Sequence, residues 1–212
     1  MTPERKRKFE RVARYRQPNL TVVLENVHDP HNIGAVLRTC DSVGVREVYV
    51  LYTEPQLTEE RIVLGKRTAA GALKWVDVHL FTDLHACFRT VKQRYGTILS
   101  THLGQQSTDL YDLDLTRSVA LLFGNEHAGL SPEALTYVDG NFKIPQVGMV
   151  ESLNISVACA VTLYEAFRQR RAKGWFGEQP LLPPEEQRAQ LEEYLRRHDQ
   201  RVPRKILHPG KK

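Results

Sequence analysis

An arginine within an otherwise apolar helical pattern is the residue of this sequence most suited to chemistry. Arg38 lies in the segment 31–39, six residues after Asn32. Its guanidinium could form a surface salt bridge, or its planar fork could clamp a phosphate or a carboxylate. Both side chains are expected near the junction of a strand and a helix, and α/β sheets bind their ligands in such loops.

Two further polar segments contain residues that could hold a ligand. In 122–130, Glu126 lies between two glycines, which permit close backbone approach or a left-handed turn. The alternative there is an ordinary turn with a surface carboxylate. The loop 144–156 leads into a helix that Ser152 and Asn154 could cap. The backbone of this loop could instead hold the edge of an adenine-like ring.

Several common catalytic and cofactor motifs are absent from the sequence. It contains no GxGxxG after the first strand, no GxxxxGK[ST] and no GxSxG. The three cysteines are far apart and form no CxxC, which argues against a zinc site and a disulfide framework and favours a reducing compartment such as the cytoplasm. His28 and His31 lack an evident third ligand, so no metal is expected.

Strand and helix patterns alternate along the middle of the chain. Strands are expected at 20–27, 47–52, 75–80, 97–101, 118–123 and 141–144, and helices at 31–43, 84–95, 131–137 and 153–171. The segment 61–73 could be a helix or a loop. This alternation predicts an α/β domain with a largely parallel sheet. A short helix at 184–197 and a flexible, basic tail of fifteen residues are expected after it.

Composition and charge narrow the class of partner. The chain has 212 residues, of which 41% are hydrophobic and 26% charged, as in soluble globular proteins. It contains no run of roughly 18 apolar residues and no secretory signal, so no membrane partner is expected. Residues 1–16 and 165–212 each carry a net charge of +5, whereas 17–164 carry −5. Basic ends of this kind suit a polyanion such as nucleic acid, although solvated helix faces would also produce them.

The three polar segments together resemble, in order and spacing, the motifs of the SPOUT class of RNA methyltransferases, and within it the TrmH family. The matching pieces are NIGAVLRT (32–39), LLFGNEHAGLS (121–131) and IPQVGMVESLNISVA (144–158), and the resemblance extends over roughly 10–175. The third piece is the most distinctive. The basic ends look like those of the enzymes that methylate the ribose of the D-loop guanosine at position eighteen of tRNA.

The resemblance implies a fold that the patterns alone do not indicate. This is the SPOUT-type α/β knot, in which a mostly parallel sheet ends in a deep C-terminal trefoil knot. The implied divisions are a basic N-terminal helix (1–18), a methyltransferase domain (19–175) and a basic C-terminal extension (176–212). In this family the knot holds S-adenosylmethionine, and the active enzymes are homodimers.

The resemblance also implies a role for individual residues. Arg38 would hold an RNA phosphate that accepts the proton of the ribose hydroxyl, because a guanidinium is too weakly acidic to act as a general base near neutral pH. The other residues implied in catalysis are Asn32, Glu126, Ser152 and Asn154. Cofactor contacts are implied at Thr101, Gly124, Ile144, Gly148, Met149 and Leu153. RNA contacts are expected at Lys6, Lys8, Arg11, Arg168, Arg170 and Arg171.

The function that this resemblance predicts is methylation of a ribose 2′-hydroxyl in tRNA, at guanosine 18. One alternative is an enzyme of the same class that acts on ribosomal RNA or on the tRNA wobble ribose. Minimal wobble-type relatives lack the basic ends, and many ribosomal RNA relatives carry a larger N-terminal domain. Another alternative is an RNA-binding protein without activity, which the intact set of polar residues argues against.

Overall fold

A single sheet of parallel strands organises the chain. The computed structural model describes residues 1–64, 69, 71–101, 107–150, 152–201 and 206–209. Within them the strands are β1 (Leu20–Glu25), β2 (Glu47–Leu51), β3 (Asp77–Phe81), β4 (Thr97–Thr101), β5 (Thr108–Asp109), β6 (Val119–Phe123), β7 (Gly140–Lys143) and β8 (Ile206–Leu207). Their order is β5-β7-β4-β6-β1-β2-β3-β8, and every neighbouring pair is parallel. The predicted α/β class with a largely parallel sheet is confirmed.

Helices cover both faces of this sheet. They are α1 (Pro3–Arg14), α2 (Pro30–Ser42), α3 (Glu59–Leu64), α4 (Leu84–Arg94), α5 (Pro132–Leu135), α6 (Ile155–Ala172) and α7 (Pro184–Asp199). Apolar side chains of α2 and α6 form one core with one face of the sheet, and those of α4 and α5 form a second core with the other. No described helix is both long and apolar enough to cross a membrane.

The central strands are apolar on both sides because both sides are covered. In β6, Leu121 packs into the core of α2 and α6, whereas Leu122 packs into the core of α4 and α5. In β1, Val22 and Val23 divide between the two cores in the same way. This explains why the sequence shows continuous apolar runs rather than alternation.

The ends of the chain differ from the sequence expectation. The fifteen-residue tail was expected to be flexible throughout, but Ile206 and Leu207 pair with β3 and form the eighth strand. His208 Nε2 then contacts Glu59 Oε2 at 2.9 Å. Periodicity cannot predict a two-residue strand, which also explains why β5 was missed. Of the segment 61–73, residues 61–64 are helical and 72–74 form a 3₁₀ turn, while 65–68 and 70 lie outside the described residues.

The N-terminal and C-terminal helices pack against each other. The Phe9 ring of α1 lies 5.3 Å from the Trp75 ring and 5.5 Å from the His198 ring. Just after α1, the fully buried Arg16 donates from Nη2 to Asp41 at 2.6 Å and from Nε to the Tyr194 hydroxyl at 2.5 Å. A charge-assisted hydrogen bond therefore fixes the basic α1 to the body of the domain.

Arg170 does not serve the role that was expected of it. Its side chain is fully buried at the end of α6, and its guanidinium donates to the carbonyls of Leu115, Arg117 and Asn19 and to the side chains of Gln17 and Asn19. These distances run from 2.6 to 3.4 Å. All three nitrogens are occupied, so Arg170 joins chain segments and is not available to an RNA phosphate.

Replacing Arg170 with Met is expected to destabilise the fold by about 3 kcal/mol or more, because several buried carbonyls lose their donor. The neighbouring Arg171 is exposed, so Arg171→Met is the matched control, with an expected change within about 0.5 kcal/mol. Urea unfolding at one protein concentration measures both. Equal effects of the two substitutions would contradict the structural role of Arg170.

Candidate active site

Asparagine side chains join three loops at the carboxyl edge of the sheet. Asn26 follows β1 with a left-handed φ of 49°, which asparagine tolerates better than most residues. Its Nδ2 donates to Thr53 Oγ1 at 2.8 Å, and its Oδ1 accepts from the Thr53 backbone at 2.9 Å. Asn125 Nδ2 donates to the Asn26 carbonyl at 2.8 Å. Neither asparagine is among the site residues predicted from the sequence, although an asparagine directly after a strand is a recognisable turn signal.

A second set of hydrogen bonds links residues that are distant in sequence but were predicted to act together. Asn32 Nδ2 donates to Glu126 Oε1 at 2.8 Å, and Asn154 Nδ2 donates to Asn32 Oδ1 at 3.1 Å. Glu126 Oε2 accepts from the His28 backbone N–H at 3.3 Å. We call these three residues, Asn32, Glu126 and Asn154, the amide–carboxylate cluster. The cluster joins the start of α2, the loop after β6 and the start of α6.

The cluster keeps Glu126 ionised. Its partial burial raises the pKa of this carboxyl, but hydrogen bonds from the Asn32 amide and from backbone N–H groups outweigh burial. The pKa of Glu126 therefore lies below its usual value. The carboxylate is an acceptor within the cluster rather than an acid that gives up a proton at neutral pH.

Helix α2 positions one buried and one exposed functional side chain. Asp29 caps the helix by accepting from the His31 backbone at 2.8 Å, and Pro30 occupies its first turn. This places Asn32 in the first turn, where it is 7% exposed. Arg38, almost two turns later, is exposed and makes no ion pair or hydrogen bond with the described residues. The salt-bridge alternative for Arg38 thus finds no support in the described part of the chain.

Asn154 both caps its helix and takes part in the cluster. Its Oδ1 accepts from the Ser156 backbone at 2.9 Å and from Ser156 Oγ at 2.6 Å, while its Nδ2 contacts Asn32. The two roles predicted for this residue are therefore compatible. Ser152 is exposed and lies outside this cluster of hydrogen bonds.

The residues expected to hold the cofactor lie at one part of the carboxyl edge. Thr101 ends β4, Gly124 follows β6 and Ile144 follows β7, and β4 is hydrogen-bonded to both of the other strands. The three strand ends are therefore side by side. The loop that follows β7 is open, since Gly148 has free space around it and Met149 is 99% exposed.

Glycine is required at one position in this region. A Cβ on Gly124 would lie 2.3 Å from the carbonyl oxygen of Gly129. The loop closes there because the Asn125 N–H donates to the Gly129 carbonyl at 2.8 Å, and Gly129 donates back at 3.0 Å. This closure, which uses both glycines of the predicted segment, holds Glu126 at the tip of a tight loop.

The residues expected to contact RNA differ from one another in their exposure and in their ion pairs. Lys6, Lys8 and Arg11 are exposed on α1. Arg168 is exposed but forms an ion pair with Glu165 at 2.8 Å. Across the described residues, no group of three His, Cys, Asp or Glu side chains could hold a metal ion.

Comparison with known proteins identifies the family. Residues 19–164 match the model of the SpoU rRNA Methylase family. The tRNA (guanosine(18)-2'-O)-methyltransferase of Thermus thermophilus is 45% identical over 199 residues, which are 92% of this chain and 98% of that protein. The enzyme of the same name from Escherichia coli is 39% identical over 192 residues, which are 90% of this chain and 82% of that protein.

Solved structures of the same family also superpose on this chain. The A. aeolicus TrmH/SpoU tRNA modifying enzyme superposes with a TM-score of 0.80 at 34% identity, covering 92% of this chain and 96% of that one. The SpoU methyltransferase AviRb from Streptomyces viridochromogenes, crystallised with AdoMet, has a TM-score of 0.66 at 28% identity over 74% of this chain and 62% of that one. The predicted resemblance is confirmed: the chain belongs to the SpoU rRNA Methylase family.

Proposed function

We propose that this protein transfers a methyl group from S-adenosylmethionine to the ribose 2′-hydroxyl of guanosine 18 in tRNA. The observation that carries the proposal is the amide–carboxylate cluster together with an exposed arginine on α2, the helix that carries Asn32. The cluster provides fixed polar groups, and Arg38 provides a positive charge that no described residue neutralises. The substrate is taken from the relatives that match at least nine-tenths of the chain, at 92% and 90%.

Arg38 is proposed to act on the phosphate backbone. A ribose hydroxyl is a poor nucleophile until its proton is removed or strongly polarised. Arg38 cannot remove that proton, since a guanidinium remains charged at neutral pH. It would instead hold the adjacent RNA phosphate, which accepts the proton, and would stabilise the negative charge that develops on the ribose oxygen.

The amide–carboxylate cluster is proposed to position the substrate. Asn32 would orient the hydroxyl, and Glu126 would fix the Asn32 amide through the 2.8 Å hydrogen bond. Asn154 holds Asn32 from the other side, and Ser152 would support the arrangement from the loop before α6. Correct placement of two reactants is worth about 7–11 kcal/mol of a reaction barrier, so positioning supplies much of the rate.

The residues proposed to hold S-adenosylmethionine are Thr101, Gly124, Ile144, Gly148, Met149 and Leu153. The adjacent ends of β4, β6 and β7 and the open loop after β7 fit such a ligand, since they offer backbone groups at a carboxyl edge. When bound, the cofactor supplies a methyl group activated by a sulfonium charge. No metal is required for this chemistry.

We further propose a trefoil knot and a homodimer. Strand β7 lies between β4 and β5, two strands that precede it in sequence, and this order is compatible with a threaded chain. Val157 and Tyr164 on α6 are about half exposed, at 47% and 52%, and Val150 before it is 67% exposed. Apolar groups of this size on one surface favour burial against a second copy. The proposal also includes a division of the chain into residues 1–18, 19–175 and 176–212. It further includes a cytoplasmic location.

The proposed RNA surface combines α1 with the end of α6. Lys6, Lys8, Arg11 and Arg171 are exposed, and Arg168 would exchange its ion pair with Glu165 for a phosphate. The two helices are connected, because Arg14 of α1 donates to the Gly177 carbonyl at 3.1 Å, beyond the end of α6. Arg170 is left out of this surface because it is buried.

The proposal is tested with labelled S-adenosylmethionine and unmodified tRNA transcripts, followed by mapping of the methylated ribose. Methylation at guanosine 18 is expected. Methylation at the wobble ribose, or of ribosomal RNA only, would replace the substrate but keep the enzyme class. Binding of RNA without transfer to any RNA would overturn the enzymatic function.

Arg38→Ala is expected to lower kcat by about 10²–10³, the usual cost of losing a group that stabilises a developing oxyanion. Arg38→Lys keeps the charge but loses the planar fork, so an intermediate rate is expected. Single-turnover methyl transfer measures both variants, and cofactor binding should change less than about twofold. Full transfer by Arg38→Ala would contradict the role given to this residue.

Glu126→Gln is expected to destabilise the protein in a pH-dependent way. Because the pKa of Glu126 is lower in the folded protein, its stabilising effect is complete above the ordinary pKa of 4.5 and is lost as the pH falls through the folded pKa. The difference in unfolding free energy between wild type and variant should be constant from about pH 7 to 5.5 and shrink below about 4.5. The control is the exposed Glu178→Gln. A difference that does not change down to acid pH would refute this effect.

Replacing Lys6, Lys8 and Arg11 together with Gln is expected to lower the salt dependence of tRNA binding. Each lost phosphate contact reduces the slope of log K against log salt by about 0.7–0.9, so the slope should fall by about 2 to 3. Arg89→Gln is the control, since Arg89 is exposed on α4, which packs on the face of the sheet opposite α6. An unchanged slope in the triple variant would remove α1 from the RNA surface.

A further inference from the structure

A cavity lies at the carboxyl ends of β2 and β3, next to the amide–carboxylate cluster. Its volume is about 380 Å³, within the range of about 300–1,000 Å³ found for small-molecule sites. Its apolar lining includes Tyr52, Leu57 and Leu80, and its polar lining includes Glu54 and His208. We refer to it as the β2–β3 cavity. An apolar pocket with a few polar groups is the usual form of a ligand site in an α/β protein.

One residue connects this cavity to the cluster. The His28 ring contacts Glu54 Oε2 at 2.9 Å, and the His28 backbone N–H donates to Glu126. Arg61 Nη1 donates to the His28 carbonyl at 3.2 Å, which fixes the same residue from α3. A ligand that extends from the cluster into the β2–β3 cavity therefore passes His28, which these contacts hold in place.

Two polar atoms of the cavity lining are left for a ligand. Glu54 Oε2 accepts from His28 and from the Gln56 side chain, whereas Oε1 accepts no hydrogen bond from the described residues. Tyr52 is 2% exposed, and its buried hydroxyl has no hydrogen-bond partner among those residues. A buried polar atom without a partner is costly and calls for a functional explanation. The cavity thus offers one carboxylate acceptor, and its lining residue Tyr52 holds a buried donor that a ligand reaches only if the lining moves.

The hydrogen-bonding chemistry of these two groups is complementary to the edge of a purine base. Guanine presents N1–H and N2–H donors beside the O6 acceptor on its Watson–Crick edge. Glu54 Oε1 can accept from the donors, and the Tyr52 hydroxyl can donate to O6. Sequence-specific RNA recognition commonly reads this edge of an unstacked base in a pocket.

The charge of the lining disfavours a phosphate. Glu54 and Glu59 both line the cavity. Among the described lining residues, His208 is the only basic one, and it contacts Glu59 at 2.9 Å. An excess of carboxylates repels a phosphate and attracts N–H groups. The tail contributes directly to this environment, since β8 places His208 against α3.

We propose that the β2–β3 cavity binds the guanine base of the nucleotide that is methylated, with Glu54 as the residue that determines specificity and Tyr52 as its partner. This inference rests on the proposed function. It adds to it a physical reason why guanosine, rather than another nucleoside, is selected. Glu54 does not touch the reacting atoms, so its effect falls on the choice of base and not on the chemistry.

The test measures kcat/KM for tRNA transcripts that carry guanosine or inosine at position 18. Inosine lacks the N2 amino group, so the wild-type protein should prefer guanosine by about ten- to a hundredfold, the cost of losing one hydrogen bond to a carboxylate. Glu54→Gln should lower kcat/KM for guanosine about tenfold and for inosine less, because inosine keeps the N1–H donor and lacks only the N2 donor, so the ratio of the two kcat/KM values should fall. The matched control is Glu60→Gln, since Glu60 is exposed and does not line the cavity.

The Tyr52→Phe variant distinguishes an effect on base recognition from an effect on the stability of the fold. Removing a buried hydroxyl that has no partner should leave the melting temperature unchanged or higher, while kcat/KM for both nucleosides falls because O6 loses its donor.

The possible outcomes distinguish this inference from the function on which it rests. Equal rates with guanosine and inosine in wild type, or an undiminished preference in Glu54→Gln, would overturn the inference while methylation at guanosine 18 stands. A wild-type protein that methylates no tRNA ribose would overturn both.

Discussion

The hydrogen bond between the Glu126 carboxylate and the Asn32 amide is the interaction on which the rest of the site depends. It joins a loop after β6 to the first turn of α2, 94 residues away in sequence. Asn154 then adds the start of α6 to the same amide. Two side-chain hydrogen bonds thereby hold together the three segments that carry the family motifs. The bond to Glu126 is the stronger of the two, because its acceptor is charged.

The parallel sheet makes this arrangement possible. Because every strand runs in the same direction, the carboxyl ends of β1, β2, β4, β6 and β7 all lie at one edge. Side chains there can meet without any long excursion of the chain, and Asn26 and Asn125 secure the loops to one another. Helix α2 leaves from this edge with a buried amide in its first turn and an exposed guanidinium two turns later. One helix thus provides both a rigid positioning group and a charge that can reach a substrate.

Much of this architecture is predictable from the sequence, and the exceptions have physical causes. Apolar runs and caps predict the long elements within a few residues, and the motifs predict the association of Asn32, Glu126 and Asn154. Arg170 was misjudged because its charge predicts exposure, while the carbonyls that surround it come from distant segments. Strand β8 and the contact of His28 with Glu54 were missed because no periodicity encodes a two-residue pairing or a contact between loops.

The most direct test of the central claim replaces guanosine 18 of a tRNA transcript with 2′-deoxyguanosine and measures methyl incorporation from labelled S-adenosylmethionine. Base, phosphates and overall shape are retained, and only the proposed acceptor atom is removed. We expect one methyl group per transcript with the ribose and none with the deoxyribose. Incorporation that does not change after this replacement would contradict the claim, because the methyl group would then be transferred to another atom.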